Sequence, residues 1–121
     1  MTPDEMRKRT KAFGLDVNKL VGELPQSQAV RILSGQLIRA ATSVGANYRA
    51  SCRAKSPADF ISKMGTVEEE SDESAFWMEV LRDAGFVAAE RVNRLINEAE
   101  EILAITVSSI RTSKMNNPKR N

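Results

Sequence analysis

Apolar residues recur along this chain at steps of three and four, in four stretches separated by proline, glycine and serine. Met6, Thr10, Phe13, Val17, Leu20 and Leu24 make the first seam. Val30, Leu33, Leu37, Ala41, Val44 and Tyr48 make the second. The third is Phe60, Met64, Val67, Ser71, Ala75, Met78 and Leu81, and the fourth is Val92, Leu95, Ala99, Ile102, Thr106 and Ile110. This spacing sets one stripe of each helix against a core. The punctuation agrees with it. Thr2 before Pro3, Ser27, and Ser56 before Pro57 are helix starts. Pro25 stops the first helix and Gly85 caps the third in a left-handed conformation. The pattern predicts helices over 3–24, 27–54, 57–84 and 88–114, with 115–121 a frayed tail. No stretch alternates with period two, so no strand is predicted. Three short connections between helices of similar length predict an all-α, up-down-up-down four-helix bundle, one domain over 1–121.

The second helix carries an excess of small residues in "SGQLIRAATSVGANYRA". Glycine inside a helix costs about 0.8–1.0 kcal/mol against alanine, so Gly35 and Gly45 need a reason. Small residues let a neighbouring helix come close. Ser71, Ser74 and Ala75 thin the third helix in the same way, which predicts a tight approach of helices two and three. Arg39, Ser43 and Asn47 share a polar stripe on helix two, and Glu70, Glu73 and Trp77 share one on helix three. The expected pairing is Arg39 with Glu70 or Glu73, setting the register of the two helices or a contact between subunits.

Residue usage removes much chemistry. The 121 residues include no histidine and one cysteine, Cys52. Histidine-based catalysis, Glu-x-x-His di-iron sites and internal disulfides fall away. Cys52, beside Arg53, reads as a packed structural thiol. A lone cysteine, no apolar run of about 20 residues and no signal-like start point to a cytoplasmic protein without a membrane span. Glu69, Glu70 and Glu73 form an E-E-x-x-E pattern like that of magnesium-dependent nucleotide pyrophosphohydrolases. The E-x-x-D partner is missing, and the pattern reads as a solvated face. No cofactor, metal or catalytic residue is expected.

Charge is unevenly placed. Residues 1–63 hold 11 Lys/Arg against 5 Asp/Glu, and residues 64–101 hold 3 against 11. The bundle topology gathers the basic residues at one end. Arg7, Lys8, Arg9 and Lys11 come from helix one, and Arg49, Arg53 and Lys55 from the end of helix two. Lys63 starts helix three, and Arg111, Lys114, Lys119 and Arg120 end the chain. Such an end suits polyanions. With no interleaved aromatics, RNA or DNA would be held by its backbone and with little sequence preference. The alternative is a protein–protein scaffold on which the basic end is incidental. Apolar residues outside the seams, Ile32, Ile38, Phe76, Val80, Ile96, Leu103 and Ile105, favour oligomerisation.

The strings "QLIRAATSVGANYRA", "KSPADFISKM" and "EEESDESAFWMEVL" resemble the bacterial four-helix-bundle proteins encoded by intervening sequences of 23S ribosomal RNA genes. The similarity runs from about 13 to 114. It is densest at Gln36, Leu37, Arg39, Thr42, Ser43, Gly45, Ala46, Asn47 and Arg49. It continues through Ser56, Asp59, Phe60, Glu70, Glu73, Trp77 and Glu79 to residues 112–114. Ala50, Tyr48 and Asp72 depart from the usual acidic, aliphatic and basic residues. The resemblance implies a homopentameric ring without an established enzymatic activity. It also implies distant kinship with the accessory variability protein of diversity-generating retroelements, a similar fold that binds nucleic acid and a reverse transcriptase.

Overall fold

A computed structural model describes residues 1–118. All regular structure among them is α-helical: α1 Pro3–Gly22, α2 Gln28–Ser51, α3 Pro57–Asp83 and α4 Ala89–Asn116. The predicted starts hold to within a residue, and those of α1, α2 and α3 rest on side-chain caps. Thr2 accepts from the Glu5 amide while Glu5 accepts from the Thr2 amide, a reciprocal capping box. Ser27 accepts from Val30 and Ser56 from Asp59. The ends differ more. α1 stops at Gly22 and α2 at Ser51, earlier than expected, because the chain must turn extended again before Ser27 and Ser56. α4 runs to Asn116, past the expected fraying point. Gly85, at φ +85°, closes α3: its amide donates to Arg82 and the Phe86 amide to Leu81.

α1 packs on α2 and α4, and α3 packs on α2 and α4, so the four helices enclose one core. Side-chain pairs fix the directions. Glu23 near the end of α1 meets Arg91 near the start of α4, whereas Arg9 meets Glu98 and Glu101 further along. α1 and α4 are therefore antiparallel. The seams fill the core, with Phe13, Val17, Leu37, Val44, Met64, Val67, Met78, Leu81 and Ile102 almost fully enclosed. Three seam positions are hydroxyls, Thr10, Ser71 and Thr106, and all are fully buried. Each donates to a carbonyl four residues back, Met6, Val67 and Ile102, at 2.7–2.8 Å. A hydroxyl satisfied within its own helix can sit in an apolar core at little cost.

Besides the expected packing of α2 on α3, Gly45 serves a second contact. A Cβ on Gly45 would stand 3.2 Å from the Thr10 carbonyl oxygen and 3.3 Å from the Lys11 nitrogen. A Cβ on Gly14 would stand 3.4 Å from the Ala41 oxygen. The close approach is thus between α1 and α2, backbone against backbone. Gly35 has open space around its α-carbon, so no packing reason accounts for it. The apolar residues outside the seams also divide. Ile96 is a core residue, 5% exposed; Ile38, Val80, Leu103 and Ile105 are half-buried; Ile32 and Phe76 are exposed.

Candidate nucleic-acid interface

The close crossing of α1 and α2 shapes the surface above it. With Gly14, Thr42, Gly45 and Ala46 in place of larger side chains, a groove of about 860 Å³ lies between the first half of α1 and the second half of α2. Arg7, Lys8 and Lys11 line it from α1 together with the exposed Leu15, and Arg49 and Arg53 line it from α2. Asp4 supplies the only carboxylate in the lining.

These cations differ in freedom. Arg7 and Lys8 both pair with Asp4, at 3.1 and 3.3 Å, and the two contacts hold the Asp4 carboxyl below its usual range. Lys11, Arg49 and Arg53 have no carboxylate partner among the described residues. The end of α2 is a favourable place for Arg49, in its last turn, and for Arg53 just beyond it, because the helix dipole favours cations there. Lys11 has no such support and is exposed in the groove lining.

The remaining members of the expected basic end lie elsewhere. Arg9 turns away from the groove. Its Nε and Nη2 donate to both oxygens of Glu98 at 2.7 Å, and Nη2 reaches Glu101 as well. That fork joins α1 to α4, pushes the guanidinium pKa up and takes its charge out of the free set. Lys63 pairs with Asp59 at 2.6 Å. Lys55, Arg111 and Lys114 are exposed and unpaired among the described residues, with Arg111 and Lys114 around a smaller hollow shared with Glu68. Lys119 and Arg120 lie outside the described residues. The basic end is therefore two surfaces, a cationic groove between α1 and α2 and a mixed hollow between α3 and α4.

The polar stripes meet in part. Arg39 donates to Glu70 at 3.0 Å and to Glu73 at 2.6 Å, and the Trp77 indole donates to the same Glu73 carboxylate at 3.2 Å. The Trp77 contact, followed by Arg39, holds the Glu73 carboxyl below its usual value. Ser43 and Asn47 do not join them: the Asn47 amide donates to the Ser43 carbonyl within α2. With Glu70 and Glu73 committed to Arg39, the E-E-x-x-E pattern has lost two of its carboxylates to an ion pair. Among the described residues no group of three or more metal-ligating side chains is placed to hold a metal ion.

Sequence reasoning missed the exposure of Cys52. Its thiol is at the surface and lines the groove beside Arg53, where a packed residue was expected. The signal for it was available, since Cys52 is four residues beyond the buried Tyr48 yet past the end of α2, where the seam no longer faces the core. Tyr48 lies beneath. Burial pushes its hydroxyl up to about 12, with the Cys52 thiol adding to the effect. No helix among the described residues is long and apolar enough to cross a membrane.

The arrangement matches known proteins along most of its length. A protein of unknown function from the S23 ribosomal protein family of Bacteroides thetaiotaomicron, solved crystallographically, superposes with a TM-score of 0.81. It is 30% identical, and the match covers 87% of this chain and 97% of that one. No curated protein matches. Residues 4–108 match the family described as 23S rRNA-intervening sequence protein, and on that span and fold the chain belongs to this family.

Proposed function

We propose that this protein is a non-enzymatic, oligomeric bundle that binds the backbone of RNA or DNA through the cationic groove between α1 and α2. The observation that carries the reading is the grouping of Lys11, Arg49 and Arg53, none with a carboxylate partner among the described residues, around one concave surface. Cations so placed exchange condensed counterions for phosphates, and the released counterions supply the affinity. The pairing of Glu70 and Glu73 with Arg39 supports the non-enzymatic part, because it neutralises the carboxylates that would hold magnesium.

Oligomerisation rests on a second observation. Phe76 and Ile32 are 53% and 60% exposed. Arg39 on α2 lies level with Glu70 and Glu73 on α3, so Ile32, two turns back, lies level with Trp77 and Val80. These residues form one apolar face, edged by the Phe76–Trp77 ring pair at 5.0 Å. Resemblance to the family sets the expected assembly at a homopentameric ring in the bacterial cytoplasm. A cyclic ring presents equivalent ends of its subunits on one side. Repeated grooves would then act together through effective concentration.

An electrophoretic shift titrated against salt tests the proposal. The wild type should shift RNA and DNA at low salt and release them steeply as salt rises. Charge reversal at Lys11, Arg49 and Arg53 should abolish the shift, whereas reversal of Arg91 and Arg94 at the opposite end should leave most of it. Absence of any shift at low salt would leave the protein-scaffold alternative, to which the Phe76 face is suited.

A further inference from the structure

We infer that the α1/α2 groove selects a single nucleic-acid strand over a duplex. The inference rests on the polyanion reading above and narrows its substrate. Its starting point is the shape of the groove. Basic side chains line both sides, Lys8 and Lys11 on α1 and Arg49 and Arg53 on α2, with a floor of small residues, Gly14, Thr42, Gly45 and Ala46, where the two backbones approach. The walls are close together. Packed helices have axes about 8–10 Å apart, and the contact of Gly45 with the Thr10 backbone puts this pair at the near end of that range.

A duplex carries its phosphates on the outside of a rod wider than that spacing. Laid along the groove, it would meet only the outermost tips of the cations, and the floor would stay empty beneath it. A single strand can enter. Its phosphates can then reach both walls at once, while sugars and base faces rest on Leu15 and Ala46. Burial of Leu15, 61% exposed in the free protein, would add to the strand's affinity. The lining holds no aromatic side chain, and the Thr42 hydroxyl already donates to the Ile38 carbonyl, so the strand would be held with little base preference.

Length is fixed by the same residues. The lining runs from Asp4 to Asn18 on α1. At 1.5 Å per residue that is about 20 Å, room for about six nucleotides at the stacked spacing of about 3.4 Å per phosphate along one strand. Asp4 lies at the outer end, where its charge is offset by Arg7 and Lys8.

Fluorescence anisotropy of the full chain with a short labelled oligothymidine, and with the same strand annealed to its complement, tests this. The strand should bind about tenfold tighter than the duplex at equal salt. The double variant Thr42→Leu/Ala46→Leu fills the floor without changing charge, and both positions are exposed, so circular dichroism and the assembly mass should be those of the wild type. It should lose the preference for the strand while keeping the duplex affinity. A duplex that binds as well as the strand overturns the inference and leaves the polyanion reading standing. A filled variant that keeps the preference, or loses both ligands alike, also overturns it. Failure of both probes to bind the wild type removes the polyanion reading itself.

Discussion

Arg9 grips Glu98 with two parallel hydrogen bonds of 2.7 Å, and this fork is the strongest side-chain link between α1 and α4. Both side chains are about three-quarters covered, so solvent screens the pair less than the exposed ones. Arg9→Ala should lower unfolding free energy by about 1 kcal/mol, read from urea melts. It should also leave nucleic-acid affinity nearly unchanged, unlike Lys11→Ala or Arg53→Ala. Loss of binding equal to that of Lys11→Ala would return Arg9 to the binding surface.

Gly35 and Gly45 should respond in opposite ways to an added side chain. Nothing surrounds Gly35, so Gly35→Ala should stabilise by about 0.8–1.0 kcal/mol, the helix-propensity difference alone. At Gly45 the new carbon meets the α1 backbone, which cannot rotate away as a side chain can. Gly45→Val should destabilise by about 1–3 kcal/mol through overpacking. Thermal melts of the two variants beside the wild type decide it.

Ser34 is buried, and its hydroxyl has no hydrogen-bond partner among the described residues. Ser34→Ala removes that unpaired group and should stabilise by about 1 kcal/mol. Unchanged or lowered stability in urea would show that the hydroxyl finds a partner in solution.

How far the sequence spoke for the structure follows from what each signal depends on. The first seam, from Met6 to Leu24, is buried at every position because a three-four repeat selects the same face whatever lies opposite. Thr10, Ser71 and Thr106 fit the seams of their own helices despite their hydroxyls, since the helix itself satisfies them. Gly45 was legible as a place of close approach, but its neighbour was not. A shift of a quarter turn around α2 separates the side facing α1 from the side facing α3, and small residues occupy both. Ile96 was read as surplus for the same reason, lying beside Leu95 at the edge of the α4 seam. The charge of the basic end could be counted, but whether a given cation is free could not. That depends on long-range partners such as Glu98, 89 residues from Arg9.

Oligomer mass should depend on the α2/α3 face. Light scattering of the wild type should return a multiple of the 13.4 kDa chain mass. Phe76→Ser with Ile32→Ser should lower it while helical content stays constant, because both side chains are exposed within one subunit. A wild-type mass of one chain would end the ring proposal.

Stability should fall at both extremes of pH. The Glu73 carboxyl is lowered in the folded chain by Trp77 and then Arg39, and the Asp59 carboxyl by Lys63 and then the Lys55 amide. A lowered carboxylate contributes stability above its unfolded value, 4.5 for Glu73, and loses it as pH falls through the folded value. Tyr48 is raised to about 12 from 10.0, so the folded state holds its proton longer. Its contribution is complete below pH 10.0 and disappears as pH rises toward about 12. Absorbance titration of this single tyrosine should give a midpoint well above that of the urea-unfolded chain. Glu73→Gln should flatten part of the acid limb of a melting-temperature profile.

The beginning of α4 differs from the other three helix starts. Ala88 occupies the cap position there and no side chain accepts from the first turn, whereas Thr2, Ser27 and Ser56 each do. The Arg91 amide donates to the Ala88 carbonyl, but no side chain caps the first turn, and the exposed Glu90 offers the helix dipole little more than a diffuse charge. Amide hydrogen exchange should therefore be fastest, within the four helices, over the first turn of α4, and slower immediately before it, where the Gly85 closure holds the end of α3. Opening from that point would peel α4 from α3 before α1 leaves α2. The order in which the bundle comes apart would thus be set by one alanine standing where the other helices have a hydroxyl.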